Sequence, residues 1–198
     1  MAESASSTRR LTGLSSMATR ALLAELAADA IDRLIASGQV VAGSRADLVR
    51  SGVAVAVRSG SASPDIGSED AVRQAVLAAS SVGYSTGPSG VQLLKLFDRW
   101  GISAQLQGRL VQAPAGVPVA ALVARGEVAL GFQQLSELLN VAGITVLGPL
   151  PAAIQINTVF SAGLCTASAE AGAVRALFDF LTSPAASPAK HHHGMAPA

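Results

Sequence analysis

Apolar residues follow two periodicities along the chain, and their alternation predicts an α/β protein. Residues 52–57 form an apolar run rich in β-branched side chains, bounded by Arg50 and Arg58, which is typical of a buried strand. Further β-prone runs cover residues 11–14, 81–84, 128–132, 144–147 and 154–164. Segments with apolar residues at helical spacing cover residues 22–37, 68–77, 91–100, 119–125 and 168–181. This order favours a fold with mostly parallel sheets.

Helix boundaries follow from capping residues. Ser68 and Ser168 precede two of the helical segments, and their side-chain oxygens are suited to accept from the first free N–H groups. The segment 22–37 allows two interpretations, because Asp29 could begin a second helix in its middle. It is predicted to form either one long helix or two abutting helices, ending at Gly38.

One turn between a predicted strand and a predicted helix concentrates polar groups. It contains Tyr84, Ser85, Thr86, Ser89 and Gly90. Hydroxyls and unpaired backbone N–H groups at such a turn lie at the positive end of the helix dipole. The turn is therefore predicted to bind an anion, typically a carboxylate or an oxyanion. The alternative is a tight turn stabilised by local hydrogen bonds.

Two further turns and one strand end are candidate ligand contacts. Ligands of open α/β sheets bind at the carboxyl ends of strands, near helix N-termini. Ser15 and Ser16 satisfy that rule, and so does the turn that contains Val117. Gln133 and Gln134 follow another strand, and their amides offer both donors and acceptors. The alternatives are that the serines only cap a helix and that the glutamines are solvated loop residues.

Composition excludes several classes of protein. The 198 residues are enough for one large domain or two small lobes with a core built mainly from Ala, Val and Leu. A formal net charge of +1 with scattered Lys and Arg excludes a basic surface for nucleic acid. No run approaches the roughly 18 apolar residues that cross a membrane, so the protein is not expected to be membrane-embedded. No secretory signal is recognised near Arg9 and Arg10.

Catalytic, cofactor and metal signatures are missing from the sequence. No G-x-S-x-G elbow, H-E-x-x-H, Walker lysine loop or G-x-G-x-x-G is present. The single Cys165 is expected to be a small buried side chain. Residues 191–193 are three histidines, which are expected to belong to a polar tail. No cofactor, no metal site and no catalytic residue are predicted.

Several segments resemble the type 2 periplasmic solute-binding proteins, in particular the molybdate-binding-protein-like branch of ABC-transporter substrate-binding proteins. They are SGVAVAVRSG (51–60), GYSTGPSGVQLLKLFDRWGI (83–102), VPVAALVARGEVALGFQQLSELL (117–139) and GPLPAAIQINTVFSAG (148–163). The resemblance implies two α/β lobes joined by crossing strands, with the ligand in the cleft between them. Lobe one would comprise residues 1–57 and 147–198, and lobe two residues 58–146.

The chain departs from this family in two respects. Family members continue after the first helix with a strand, a helix and another strand, about 40 residues by the usual size of such a unit. The chain passes directly from Leu26 to the equivalent of Asp29, so lobe one is expected to be truncated. In addition, Gln133 and Gln134 stand where molybdate binders place an aromatic hydroxyl. Amides suit an organic carboxylate at least as well as an inorganic oxyanion.

The resemblance implies a substrate-binding protein that holds a small anion, either an organic carboxylate or a molybdate-like oxyanion, and hands it to an ABC transporter permease. It also implies a periplasmic location, whereas the sequence as written, without a recognised signal, implies a cytoplasmic one. An alternative is an enzyme similar to aconitate isomerase, which needs a general base beside the acidic C–H and donors for the developing enolate. A third hypothesis is a shortened copy that folds only in part or dimerises.

Overall fold

A computed structural model describes residues 23–198 as alternating helices and strands. The strands are β1 Leu23–Ala27, β2 Ala46–Arg58, β3 Val82–Tyr84, β4 Leu110–Gln112, β5 Leu130–Gln134, β6 Ile144–Pro149, β7 Asn157–Leu164 and β8 Ala196–Pro197. The α-helices are α1 Ala28–Ala36, α2 Glu69–Ala78, α3 Pro88–Arg99, α4 Val119–Ala124, α5 Leu135–Leu138, α6 Ala171–Thr182 and α7 Ser187–His192. None of the helices within residues 23–198 is both long and apolar enough to span a membrane.

The chain divides into two compact units. Unit one holds the described residues up to Val49 together with Val159–Lys190 and Pro197–Ala198. Unit two holds Arg50–Thr158 and His191–Ala196. The chain therefore enters unit two within β2 and leaves it within β7. The lobes predicted from the sequence, residues 1–57 with 147–198 and residues 58–146, place these transitions elsewhere on the chain and stay a prediction.

The sheet of unit two combines parallel and antiparallel strands. Strand β3 lies between β4 and β5 and is parallel to both. Strand β2 is antiparallel to β5 on one side and to β6 on the other. The predicted α/β class is confirmed, and the sheet is more mixed than the mostly parallel one expected, because β2 runs in the opposite direction to β5.

Strand β2 separates two hydrophobic layers in unit two, since successive side chains of a strand point to opposite faces. On one face Val53, Val55 and Val57 pack in a cluster with Val72 of α2 and Phe97 of α3. The other face carries small side chains that pack with α4 and α5, namely Ala54, Ala56, Ala120 and Leu138. Burial on both faces explains why this strand reads as a continuous apolar run.

The helices of unit two confirm one predicted cap and shift one predicted face. Ser68 Oγ accepts from Ala71 N at 3.1 Å, as the sequence predicts for the N-cap of α2. The helical spacing of residues 91–100 predicts an inward face that includes Val91. In α3, however, Val91 is 51% exposed, whereas Leu93 and Phe97 are buried. The reason is that α3 begins at Pro88, so that its first buried turn starts with Ser89 and Gly90.

The described part of unit one begins with a strand, where both interpretations of the sequence predict a helix. Strand β1 pairs antiparallel with β7, from Leu23 opposite Leu164 to Ala27 opposite Phe160. Helix α1 starts only at Ala28 and carries Asp29 in its first turn. For Leu23–Ala27 both interpretations of residues 22–37, one long helix and two abutting helices, are therefore wrong. The helix predicted to begin around Asp29 is confirmed. Long-range pairing with β7 outweighs the local helical spacing of the apolar residues.

The last long helix also starts later than its predicted cap. Ser168 Oγ accepts from Glu170 N at 3.3 Å, and α6 begins after Glu170. Ser168 thus stabilises the turn that leads into the helix. The helical spacing of residues 168–181 predicts an inward face formed by Val174, Leu177, Phe178 and Leu181. Val174 and Phe178 are buried, while Leu177 is 40% exposed.

An ion-pair network joins the first helix of unit one to the start of β2. Arg45 donates to both carboxylate oxygens of Asp32 at 2.8 Å and to Asp47 Oδ1 at 2.8 Å. Ser161 Oγ on β7 donates to the same Asp47 oxygen at 2.6 Å. These hydrogen bonds, first that of Arg45 and then that of Ser161, hold the pKa of Asp47 below its ordinary value of 3.8.

Candidate functional site

The turn between β3 and α3 brings its polar groups together at the start of a helix. Gly87 is the N-cap of α3 and offers no side-chain cap, and Pro88 follows it as the first helical residue. The hydroxyl oxygens of Ser85 and Ser89 lie 3.0 Å apart, so one hydroxyl donates to the other. Ser89 is only 5% exposed. Two hydroxyls therefore stand at the positive end of a 12-residue helix.

Gly90 lets the helix approach the strand end closely. A Cβ at this position would lie 1.9 Å from the carbonyl oxygen of Ser85 and 3.2 Å from Cδ2 of Tyr84. Any side chain here would force the first turn of α3 away from β3. The glycine thus fixes the short distance at which the serine hydroxyls meet.

Parallel register places most of the predicted site residues of unit two at one edge of its sheet. Tyr84 is opposite both Gln112 of β4 and Phe132 of β5, so these three strands end side by side. Gln133 and Gln134 complete β5 just beyond Phe132. The edge is therefore formed by the turn after β3 and by the end of β5, the position at which open α/β sheets bind ligands.

The two glutamines are part of the strand and are not solvated loop residues. Gln133 is 3% exposed and Gln134 is 5% exposed. Both polar atoms of the Gln133 amide have a partner, because its Oε1 accepts from Ala120 N at 3.2 Å and its Nε2 donates to Glu137 Oε2. Gln133 therefore ties the start of α4 to α5, which leaves Gln134 as the better candidate for ligand contact.

The remaining predicted residues have different surroundings. Thr86 is exposed, and Tyr84 is half-buried against the hydrophobic cluster that includes Phe97 of α3. Val117 closes a turn, its N–H donating to Pro114 O at 2.9 Å, while its side chain packs against the cluster that includes Val119. Packing thus accounts for Val117 as the structure stands. Ser15 and Ser16 lie outside the described residues.

Other chemistry is limited within residues 23–198. Burial raises the pKa of the Cys165 thiol, which reduces the thiolate available as a nucleophile at neutral pH. This part of the chain holds no group of three or more His, Cys, Asp or Glu side chains that could bind a metal ion. The expected burial of Cys165 is only partial.

Sequence reasoning missed one carboxylate beside the strand end. Glu137 lies on α5, directly after β5, and its exposed side chain accepts from Gln133 Nε2. The four-residue spacing between Gln133 and Glu137 is the sequence signal that could have indicated this pair. Glu137 is therefore a potential base at the end of β5, on the face of the strand that carries the Gln133 side chain.

Comparison with known proteins gives a consistent picture. A family model described as bacterial extracellular solute-binding protein matches residues 22–196. A curated relative from a Pseudomonas species, described as aconitate isomerase, is 44% identical over 169 residues, which is 85% of this chain. The chain spans 64% of that relative's length.

Two solved structures with the same fold are named for inorganic anions. The periplasmic molybdate-binding protein of Azotobacter vinelandii has a TM-score of 0.69 and 21% identity, covering 87% of this chain and 77% of its own. The sulfate-binding protein of Mycobacterium tuberculosis has a TM-score of 0.66 and 15% identity, covering 89% and 68%. At these identities the likeness shows the fold, and the predicted fold class, a type 2 binding-protein fold, is confirmed.

Proposed function

We propose that this chain, which belongs to the bacterial extracellular solute-binding protein family, binds a small anion at the carboxyl ends of the parallel strands of unit two. The observation that carries this proposal is the pair of hydroxyls, Ser85 and Ser89, held 3.0 Å apart where α3 begins. Hydroxyl groups and a helix N-terminus together favour negative charge without a bulky counter-ion.

Each component of this edge has a defined task in the proposal. The Ser85–Ser89 pair shares one hydrogen bond between two hydroxyls, which leaves a second proton that can rotate toward an anion. The buried Gln134 supplies an amide donor from the neighbouring strand end. Gln133, whose amide is occupied, holds the start of α4 in place. Binding would therefore depend on Ser85, Ser89 and Gln134.

The ligand class is a small anion, and an organic carboxylate is favoured over a metal oxyanion. Structural neighbours are named for molybdate and sulfate, and the relative with 44% identity is named for aconitate. A tetrahedral oxyanion needs donors alone, whereas Gln134 presents an acceptor as well as a donor. A protonated carboxyl or hydroxyl group on an organic acid can use both.

Delivery of the anion to an ABC transporter permease is part of the proposal and rests on family membership alone. We propose a periplasmic or extracellular location for the same reason. The chain spans 64% of the length of its Pseudomonas relative, in keeping with a lobe one that lacks an internal segment. The two-lobed assignment of residues 1–57 with 147–198 and 58–146 is retained as a proposal.

A thermal-shift screen tests this function directly. Molybdate, tungstate, sulfate, citrate, cis-aconitate and trans-aconitate are added in turn to the full chain at constant ionic strength. A ligand that binds only the folded state raises the melting temperature with concentration. We expect a saturating rise in the melting temperature with at least one organic acid. Equal shifts in the melting temperature with every salt, including a chloride control, would contradict a specific site.

A second candidate function is an aconitate-isomerase-like reaction, favoured by the 44% identity to a relative of that name. Moving the double bond requires a base that removes a proton from the methylene carbon and returns a proton to the former alkene carbon. Glu137 is the carboxylate available beside β5, and the Ser85 hydroxyl is a donor for the developing enolate.

Proton NMR of the full chain with cis-aconitate separates the two candidates. An isomerase converts cis-aconitate to trans-aconitate and loses this activity in Glu137→Gln while still binding the acid. A solute-binding protein binds without conversion. Asp70→Asn on α2 is the matched control, since Asp70 is an exposed carboxylate and its neighbour Glu69 contacts Arg99 and Trp100, at the end of α3 opposite to Ser89.

A further inference from the structure

Unit two contains a cavity that the proposed function does not use. It has a volume of about 320 Å³ and is lined entirely by residues of that unit. Its walls come from the middle of β2, from Gln155 and Asn157, from Leu135 and Pro149, and from the end of α7 with the residues that follow it. Its size is at the lower end of the range for small-molecule sites.

The polar lining of this cavity is cationic or neutral. Arg50, Gln155, Asn157 and His191 contribute the polar side chains, and no acidic residue is found among the described residues that line it. The ion pairs of residues 23–198 engage Arg33, Arg45, Arg73, Arg99 and Arg125. Arg50 is not among them. Its guanidinium therefore brings an uncompensated positive charge to the cavity.

Local packing orients the amides on the cavity wall. A Cβ on Gly52 would lie 3.0 Å from Cδ and Nε2 of Gln155 and 3.2 Å from Oδ1 of Asn157. Gln155 is held in place, because its Nε2 donates to Leu150 O at 3.2 Å and its Oε1 accepts from Ile156 N at 2.8 Å. Gly52 thus leaves room for a fixed Gln155 beside an exposed Asn157.

The rest of the cavity wall is apolar. Leu135, Pro149, Met195 and Ala196 line it together with glycines. An inorganic oxyanion gains little from such a surface, since desolvating its charge against apolar groups is unfavourable. A carbon skeleton, in contrast, is stabilised by burial there.

The cavity lies at the same edge of the sheet as the strand-end site. Val53 on β2 pairs with Gln134 on β5. The next residues outward line the cavity, namely Gly52 on β2 and Leu135, which is the first residue of α5. The cavity therefore extends the polar edge of unit two beyond Gln134.

We infer that this cavity binds a small organic carboxylate, with the Arg50 guanidinium pairing with the carboxylate and the apolar wall covering the carbon chain. The planar fork of arginine matches the two oxygens of a carboxylate, and Asn157 adds an amide donor. This inference concerns a site of its own and does not depend on the Ser85–Ser89 site binding an anion.

Side-chain amide NMR of the ¹⁵N-labelled full chain tests the inference with citrate as the probe. The Asn157 amide signal, assigned by its loss in Asn157→Ser, is expected to shift in a saturable manner. Arg50→Gln is expected to weaken this response about tenfold or more, because it removes a charged hydrogen bond. Arg58→Gln, at the last residue of β2 and outside the cavity and the ion pairs, is expected to respond like wild type.

Two further results decide the matter. Ser85→Ala should retain the Asn157 response even if it abolishes binding at the strand ends, so the two proposals fail separately. In the wild-type chain, citrate methylene protons should show nuclear Overhauser effects to the Met195 methyl group. The inference is overturned by a non-saturable Asn157 shift, by equal weakening in Arg50→Gln and Arg58→Gln, by sulfate matching citrate, or by citrate that leaves Met195 untouched.

Discussion

Gly90 lies so close to Ser85 that a Cβ on Gly90 would be 1.9 Å from the carbonyl oxygen of Ser85. Gly90→Ala therefore cannot be accommodated without moving the first turn of α3. We expect a loss of about 1–3 kcal/mol in the free energy of unfolding, the usual range for overpacking a tight site. Anion binding should fall as well, since Ser89 moves with the helix. Urea denaturation measures the first effect.

Gly87→Ala in the same turn is the matched control. A Cβ there meets only Ser85 Oγ, at 3.9 Å, which is ordinary contact. Only the modest preference of an N-cap for glycine over alanine is lost. If Gly87→Ala destabilises the protein as much as Gly90→Ala, the close approach of Gly90 to Ser85 is not what limits this turn.

The two neighbouring glutamines should separate stability from binding. Gln133→Ala leaves the buried Ala120 N–H without its acceptor, and we expect a cost of about 1–3 kcal/mol in the free energy of unfolding. Gln134→Ala should leave the unfolding midpoint nearly unchanged and weaken binding of the acid identified by the screen. Denaturation and calorimetry on both variants check this contrast. A stable Gln133→Ala, or unaltered binding in Gln134→Ala, would contradict it.

The pH dependence of unfolding should report on Asp47. Its pKa is held below the ordinary 3.8 by hydrogen bonds from Arg45 and Ser161. The stabilisation is therefore fully present above the unfolded pKa and is lost as pH falls through the lower pKa of the folded state. Asp47→Asn should be less stable than wild type at neutral pH, and the difference should disappear at acidic pH. The pair is partly exposed, so solvent screening keeps the effect modest.

Asp179→Asn is a control for general charge effects. Asp179 is an exposed carboxylate on α6 and takes part in none of the ion pairs of residues 23–198. Chemical denaturation at neutral and acidic pH should show a smaller change in the free energy of unfolding for Asp179→Asn than for Asp47→Asn. If the difference in free energy of unfolding between wild type and Asp47→Asn is the same at neutral and acidic pH, ionisation of the Asp47 carboxyl group does not stabilise the fold.

Local chemistry made much of unit two predictable from the sequence. The Ser68 cap, the buried β2 and the turn after β3 all follow from rules that act over a few residues. The strand ends could be grouped into one edge because parallel strands finish on the same side of a sheet. These features need no knowledge of distant contacts.

Long-range contacts explain what the sequence could not show. Leu23–Ala27 pairs with β7, more than a hundred residues away, and becomes a strand despite its helical spacing. The role of Gln133 depends on the Ala120 N–H, which only the fold places within reach. The Arg50 cavity likewise joins the middle of β2 to the turn after α7. Such pairings arise from the tertiary structure and leave no periodic pattern.

Isothermal titration calorimetry of wild type and Ser85→Ala, side by side, tests the central claim most directly. The titrant is the acid that gives the largest thermal shift, at fixed ionic strength. We predict a single saturating isotherm for wild type and affinity weakened about tenfold or more in Ser85→Ala, because a hydrogen bond to a charged group is lost. The same isotherm in both proteins would contradict a site built on the Ser85–Ser89 turn.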